Sequence, residues 1–130
     1  MAFLSWHQRF LLDHPEVDAQ HKMLFEIVNH FADVIRMGMD DELGRIMDDL
    51  LVCVTEHFEF EERLMNQINF PEVADHSRTH EELIGQLRQM QTRMRTGGHV
   101  SSKSVARFLA DWLSNHILRE DLAYKGYLKK

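Results

Sequence analysis

Residues 76–94 read HSRTHEELIGQLRQMQTRM, and the period of this stretch decides the fold. His76, His80, Leu83, Leu87, Met90 and Met94 recur in alternating steps of four and three. That spacing lays them along one side of a helix, because four residues advance only about 40° past a full turn. Before the stretch, Asn69-Phe70-Pro71 is a break, with Pro71 suited to the first turn of the helix. After it, Thr96-Gly97-Gly98 is another. Further out, Leu24, Ile27, Val28, Phe31 and Ile35 form one apolar stripe, which Gly38 ends. Asp40 or Asp41 can cap the next helix, whose stripe is Leu43, Ile46, Met47, Leu50, Leu51, Val54, Phe58 and Met65. Ser101 or Ser102 can cap the last, which carries Val105, Phe108, Leu109, Trp112 and Leu113. The predicted helices cover about 18–37, 41–66, 71–95 and 102–121. Four amphipathic helices with short connections imply an all-α, antiparallel up-down-up-down four-helix bundle. An irregular N-terminal arm, residues 1–17, and a short basic C-terminal tail, residues 125–130, flank it.

The 130 residues make one expected domain, 1–130, long enough to bury a core without staples. A formal net charge of −6, with no basic patch beyond Lys129-Lys130, argues against a nucleic-acid partner. The single cysteine, Cys53, rules out an internal disulfide framework and reads as a small buried hydrophobe. No segment approaches the roughly 20 apolar residues of a membrane span, and the N-terminus is a poor signal peptide. The expectation is a cytoplasmic monomer with no membrane insertion.

Nine histidines stand out, and their positions carry the chemistry. His21 comes three before Leu24, and His57 lies beside Phe58 with Glu61 four residues on. His76 and His80 open the seam, and His116 continues the stripe of Leu109 and Trp112. A lone histidine on an apolar face is commonly a hydrogen-bonded core residue. Five imidazoles and a glutamate facing one core are different, because their desolvation needs compensation, and a metal supplies it. His57 follows His21 by 36 residues and His116 follows His80 by 36, while His76 follows Glu61 by 15. In an antiparallel bundle these spacings bring the set together near one end. Asp121, five residues after His116, sits about 140° round an ideal helix. It reaches the same centre only by a swing of the side chain or a local widening such as a π-bulge. Periodicity leaves Glu120 as a rival to Asp121, and Glu62 as a weaker rival to Glu61. His7, His14, His30 and His99 match no ligand position and read as surface or arm residues.

Five histidines and two acids are too many for one mononuclear site. Two octahedral metals with five imidazoles, two bridging carboxylates and a bridging oxo or hydroxo group keep one position open for a small ligand. Over almost its whole length the sequence resembles the bacterial single-domain members of the hemerythrin family. The resemblance rests on Val17-Asp18-Ala19-Gln20-His21 and His57-Phe58-Glu59-Phe60-Glu61. It continues in Phe70-Pro71, His76-Ser77-Arg78-Thr79-His80 and His116-Ile117-Leu118-Arg119-Glu120-Asp121.

That resemblance implies two iron ions, Fe2+ or Fe3+, joined by an oxo or hydroxo bridge, with Glu61 and Asp121 as bridging carboxylates. It implies His76, His80 and His116 on the six-coordinate iron, and His21 and His57 on the five-coordinate iron where O2 binds reversibly. By helical position and by resemblance, Leu24, Phe58, Trp112, Leu113 and Ile117 wall the O2 pocket. Their other reading is plain core. The expected role is O2 transport, storage or delivery to an oxygen-consuming enzyme, with no catalysis. Alternatives are O2, redox or nitric oxide sensing, or iron storage and scavenging. A ferritin-like oxidase fits less well, since the chain has no Glu-x-x-His motif.

Overall fold

The computed structural model describes residues 3–95 and 102–129, the side chains of Asp40 and Lys129 excepted. Among these residues there are four long helices and no strand: α1 (Pro15–Arg36), α2 (Leu43–Gln67), α3 (Val73–Arg95) and α4 (Ser102–His116). A π turn, Ile117–Asp121, and a 3-10 segment, Leu122–Lys129, follow α4. The helices form the all-α bundle, with α1 against both α2 and α4, and α2 against α3.

The ends of the helices follow from local chemistry. Pro15 occupies the first helical position of α1, and the His14 ring, half-buried, accepts from Val17 N at 3.3 Å as its cap. The helix thus begins before residue 18, with the Pro15 ring pre-set for helical φ. Gly38, at φ +70°, ends α1, and Met39 N closes on Val34 O at 3.1 Å. Residues 40–42 form a 3-10 turn instead of a capping loop, and α2 starts behind Glu42 with no side-chain cap. Between α2 and α3, Asn69 takes φ +57° and Phe70 is buried. Pro71 falls in that turn, and α3 begins at Val73. Ser102 lies within α4; the expectations for Ser101, His99, Thr96-Gly97-Gly98 and Lys130 fall outside the described residues.

Each stripe faces the core. Phe31, Met47, Leu50, Val54 and Leu109 are wholly buried. The arm is packed as well. Trp6 meets Phe25 edge-on at 5.0 Å, Phe10 and Leu12 are buried, and the Asp18 carboxylate accepts from Leu12 N at 2.9 Å and His14 N at 3.2 Å. The C-terminal segment folds back over the same end. Lys125 Nζ donates to Leu11 O at 2.8 Å and pairs with Asp13 at 3.4 Å, so the tail closes the bundle. Cys53 is half-buried at the edge of the core, in contrast to the buried position expected. His7 and His30 are exposed.

Candidate metal centre

Each helix sends histidine into one end of the core: His21 from α1, His57 from α2, His76 and His80 from α3, and His116 from α4. Glu61 comes from α2, one turn after His57. Asp121 comes from the π turn. The five-residue turn rotates it inward by the amount an α-helix would miss, so the widening option is the one realised. None of the seven is more than 5% exposed.

Their ligating atoms fall into two groups, each within 4.8 Å of one another: Glu61, His76, His80, His116 and Asp121 in one, His21, His57, Glu61 and Asp121 in the other. Both carboxylates belong to both groups. Asp121 Oδ1 lies 2.9 Å from His76 Nε2 and 3.1 Å from His116 Nε2, while its Oδ2 lies 3.0 Å from His21 Nε2. Glu61 Oε1 stands 3.1 Å from His57 Nε2 and 3.5 Å from His80 Nε2. Its Oε2 is 3.7 Å from His21 Nε2. Each acid therefore straddles the two histidine sets.

The orientation of these groups tests whether a cation fits. His21 Nε2 and Asp121 Oδ2 are 3.0 Å apart, yet neither makes an aligned hydrogen bond. The same holds for His57 Nε2 and Glu61 Oε1 at 3.1 Å. Buried polar atoms normally find partners. Some ligating atoms do pair, His76 Nε2 with Asp121 Oδ1 and His80 Nε2 with His116 Nε2, but four close ones left unbonded within so tight a group fit the pattern of metal ligands. The donor set, imidazole nitrogens and carboxylate oxygens, suits a first-row transition metal.

The Nδ1 atoms show how the rings are held. His57 Nδ1 lies 2.5 Å from Gln20 Oε1, and His80 Nδ1 lies 3.0 Å from Glu62 Oε2. Ser77 Oγ donates to the other oxygen of Glu62 at 2.6 Å. Glu120 Oε2 is 3.8 Å from His116 Nδ1. Of the two rivals, Glu62 sits behind His80 as its hydrogen-bond partner, Glu120 stands near His116 without bonding it, and neither carboxylate belongs to the cluster. An acceptor at Nδ1 fixes the tautomer that leaves Nε2 free to ligate.

Burial and proximity set the charges. Burial alone would depress His21, but the adjacent Asp121 and Glu61 carboxylates push it up to about 10. Burial also lowers His80, which the neighbouring His116 and His76 help to hold down to about 4 against the pull of Glu61. For Asp121, burial opposes ionisation, yet His116, His21 and His76 hold it well below the usual carboxylate range. Glu61 is likewise held low: burial and Asp121 oppose its charge, and His57 and His21 outweigh them. The two buried carboxylates are thus favoured in their charged form, and they in turn push up His21 and His116 beside them.

Sequence reasoning assigned no role to Tyr124 or Gln20. Tyr124 is wholly buried, and its hydroxyl donates to Glu61 Oε2 at 2.5 Å. Its place three residues after Asp121 is a faint signal at most, because the 3-10 segment that turns it inward has no clear sequence period. Leu24, Phe58, Trp112, Leu113 and Ile117 are all buried, and Phe58 lies flat against the His80 ring at 3.6 Å.

Fold and site together define a four-helix-bundle protein that encloses a cation-binding cluster in its core. Residues 13–128 match the family model "Hemerythrin HHE cation binding domain". The chain is 32% identical to a bacteriohemerythrin of Methylococcus capsulatus, covering 95% of each chain. It is 30% identical to one of Stenotrophomonas maltophilia, over 99% of this chain and 84% of the other. The crystal structure of wild-type hemerythrin superposes with a TM-score of 0.91 at 30% identity, covering 99% of this chain and 100% of that one. The chain belongs to the hemerythrin family.

Proposed function

We propose that the protein binds dioxygen reversibly at a non-haem pair of iron ions held by His21, His57, Glu61, His76, His80, His116 and Asp121. The observation that carries this reading is the division of the ligating atoms into two sets that share both carboxylates. Such sharing is what two adjacent ions need, and it has no use around one. Iron bound there supplies the electrons that O2 takes up on binding and returns on release.

The chain's own residues supply the rest. His76, His80 and His116 hold one position, and His21 and His57 the other. Gln20 and Glu62 keep the His57 and His80 rings in the ligating tautomer, and Tyr124 anchors Glu61. Leu24, Phe58, Trp112, Leu113 and Ile117 form the apolar wall of the O2 pocket. Excluding water and protons there favours release of O2 over oxidation of the iron. In this reading the protein is a carrier, store or delivery agent for an oxygen-consuming enzyme. It acts as a cytoplasmic monomer of one domain, and it is not itself an enzyme. No helix among the described residues is long and apolar enough to cross a membrane.

The test is to load the metal-free protein with ferrous iron anaerobically, admit O2, then sweep the gas out. A visible band that appears and vanishes over repeated cycles is the expected result. Irreversible bleaching, or steady O2 consumption with added reductant, would mark an oxidase instead.

A further inference from the structure

The two halves of the site differ in what stands behind their imidazoles. In the three-histidine half, the Glu62 carboxylate holds His80 Nδ1 at 3.0 Å and is itself held by Ser77 at 2.6 Å. The His80 ring is also clamped flat on Phe58, the planes only 3° apart. A second carboxylate, Glu120, lies 3.8 Å from His116 Nδ1, too far for a hydrogen bond, so it adds charge nearby while that nitrogen stays unpartnered. In the two-histidine half, His57 Nδ1 faces a neutral amide oxygen, that of Gln20, and His21 Nδ1 has no partner.

We propose that the chain loads its two metal ions in order, the three-histidine half first, and that Glu62 sets the gap between the two affinities. The inference rests on the iron-pair reading above. Three imidazoles outnumber two. An anionic acceptor behind Nδ1 raises the donor strength of Nε2 more than a neutral amide does. The first ion also offsets the charge of Glu61 and Asp121, which both halves share, so the second ion meets a less negative site.

The surroundings favour the same order. A cleft of about 220 Å³ touches His76, and its walls carry Glu72, Asp75 and Glu120 against Arg119 alone. The cleft beside His57 carries Glu56 and Arg63, one of each sign, with Met23, Leu24 and Phe60. A cation is drawn to the first. Ordered loading also allows a different ion in each half.

The experiment is a zinc titration of the metal-free full-length chain, followed by calorimetry and by the ¹⁵N resonances of the histidine rings. Two steps separated by about tenfold or more are expected. The first equivalent should shift His76, His80 and His116, and the second His21 and His57. Two ions entering with equal affinity, or in the reverse order, would overturn the inference. Uptake of fewer than two ions would overturn the iron-pair reading itself.

Glu62→Gln should weaken the first step about tenfold and leave the second within about twofold. An unchanged first step removes Glu62 from the account. Gln20→Glu is the converse variant and stands independently of how well Glu62→Gln folds. It should tighten the second step by about tenfold and narrow the gap, and an unchanged second step counts against the role given to the partner's charge.

Discussion

The two ends of the bundle are built on opposite principles. Away from the site, Phe31, Leu43, Met47, Leu50, Val105 and Leu109 meet as an apolar core, each no more than 3% exposed. At the site end, the core holds five imidazoles and two carboxylates, and the buried unpaired side-chain atoms of the described residues lie there. The far end is held mainly by apolar burial, with Gln91 and Arg95 of α3 donating to the Asp48 carboxylate of α2. The site end balances desolvation with charge, imidazole against carboxylate, in a cluster that could also hold cations. One end is thus held mainly by apolar contact and the other by the pairing of buried charges.

The sharpest way to break that comparison is to damage one end and read the other. His57→Ala should abolish the reversible O2 band while leaving the helical circular dichroism of the chain intact. A variant that still binds two irons and O2 would sink the ligand assignment. Leu50→Ala, in the far core, should cost about 2–5 kcal/mol in denaturant unfolding and still load two metal ions. Loss of metal in that variant would mean the two ends are coupled more tightly than their chemistry implies.

Chelation comes next in size. Removing ions that are present at a hundred times their Kd should lower stability by about 2.7 kcal/mol for each site emptied. Amide exchange should rise around His57–Glu61, His76–His80 and His116–Tyr124. The segments around Phe31 and Met47 should change little, and uniform loss of protection would erase the contrast.

A smaller effect follows from His21. With its value raised to about 10, the ring is protonated in the metal-free fold at neutral pH and must lose that proton to ligate. Metal uptake at pH 7.5 should release it to an indicator dye, and affinity should rise with pH towards about 10. The sign for stability is the reverse. In the metal-free fold this raised value contributes fully below the ordinary 6.5 and is lost as pH climbs to about 10. A proton count that does not change on loading would contradict it.

Two further variants probe the wall and the anchor, where the visible band rather than the stability is the finer readout. Leu113→Ala should leave metal content unchanged and speed the loss of the O2 complex to ferric iron; an equal rate would remove Leu113 from the pocket wall. Tyr124→Phe deletes a short hydrogen bond to a charged oxygen. It should cost about 1.5–3 kcal/mol of folding stability, with two metals still bound. A shifted visible band in that variant would show that Tyr124 positions Glu61, and an unshifted band would reduce it to packing.

Much of this was open to sequence reading because helix period is local. The step of 3.6 residues places His57 and Glu61 on one face, and His76 and His80 on another, whatever surrounds them. Equal spacings between helices then bring the faces to one end. Asp121 resisted that logic, because its position depends on the π turn Ile117–Asp121, and a ligand one residue out of phase looks like Glu120's neighbour. Tyr124 resisted it for a similar reason, since a 3-10 segment at a chain end has no long-range period to read.

The sequence by itself determined the class of fold, the inward faces of four helices and the donor chemistry that gathers on them. These are consequences of side-chain type and helical phase, which the chain carries locally. Only the tertiary structure decided how the acids divide their work. It turned Asp121 inward, placed Glu62 behind His80 and Glu120 near His116, and brought Tyr124 onto Glu61 from 63 residues away. Those contacts depend on where separate helices meet, to within an ångström, and local phase does not specify that distance.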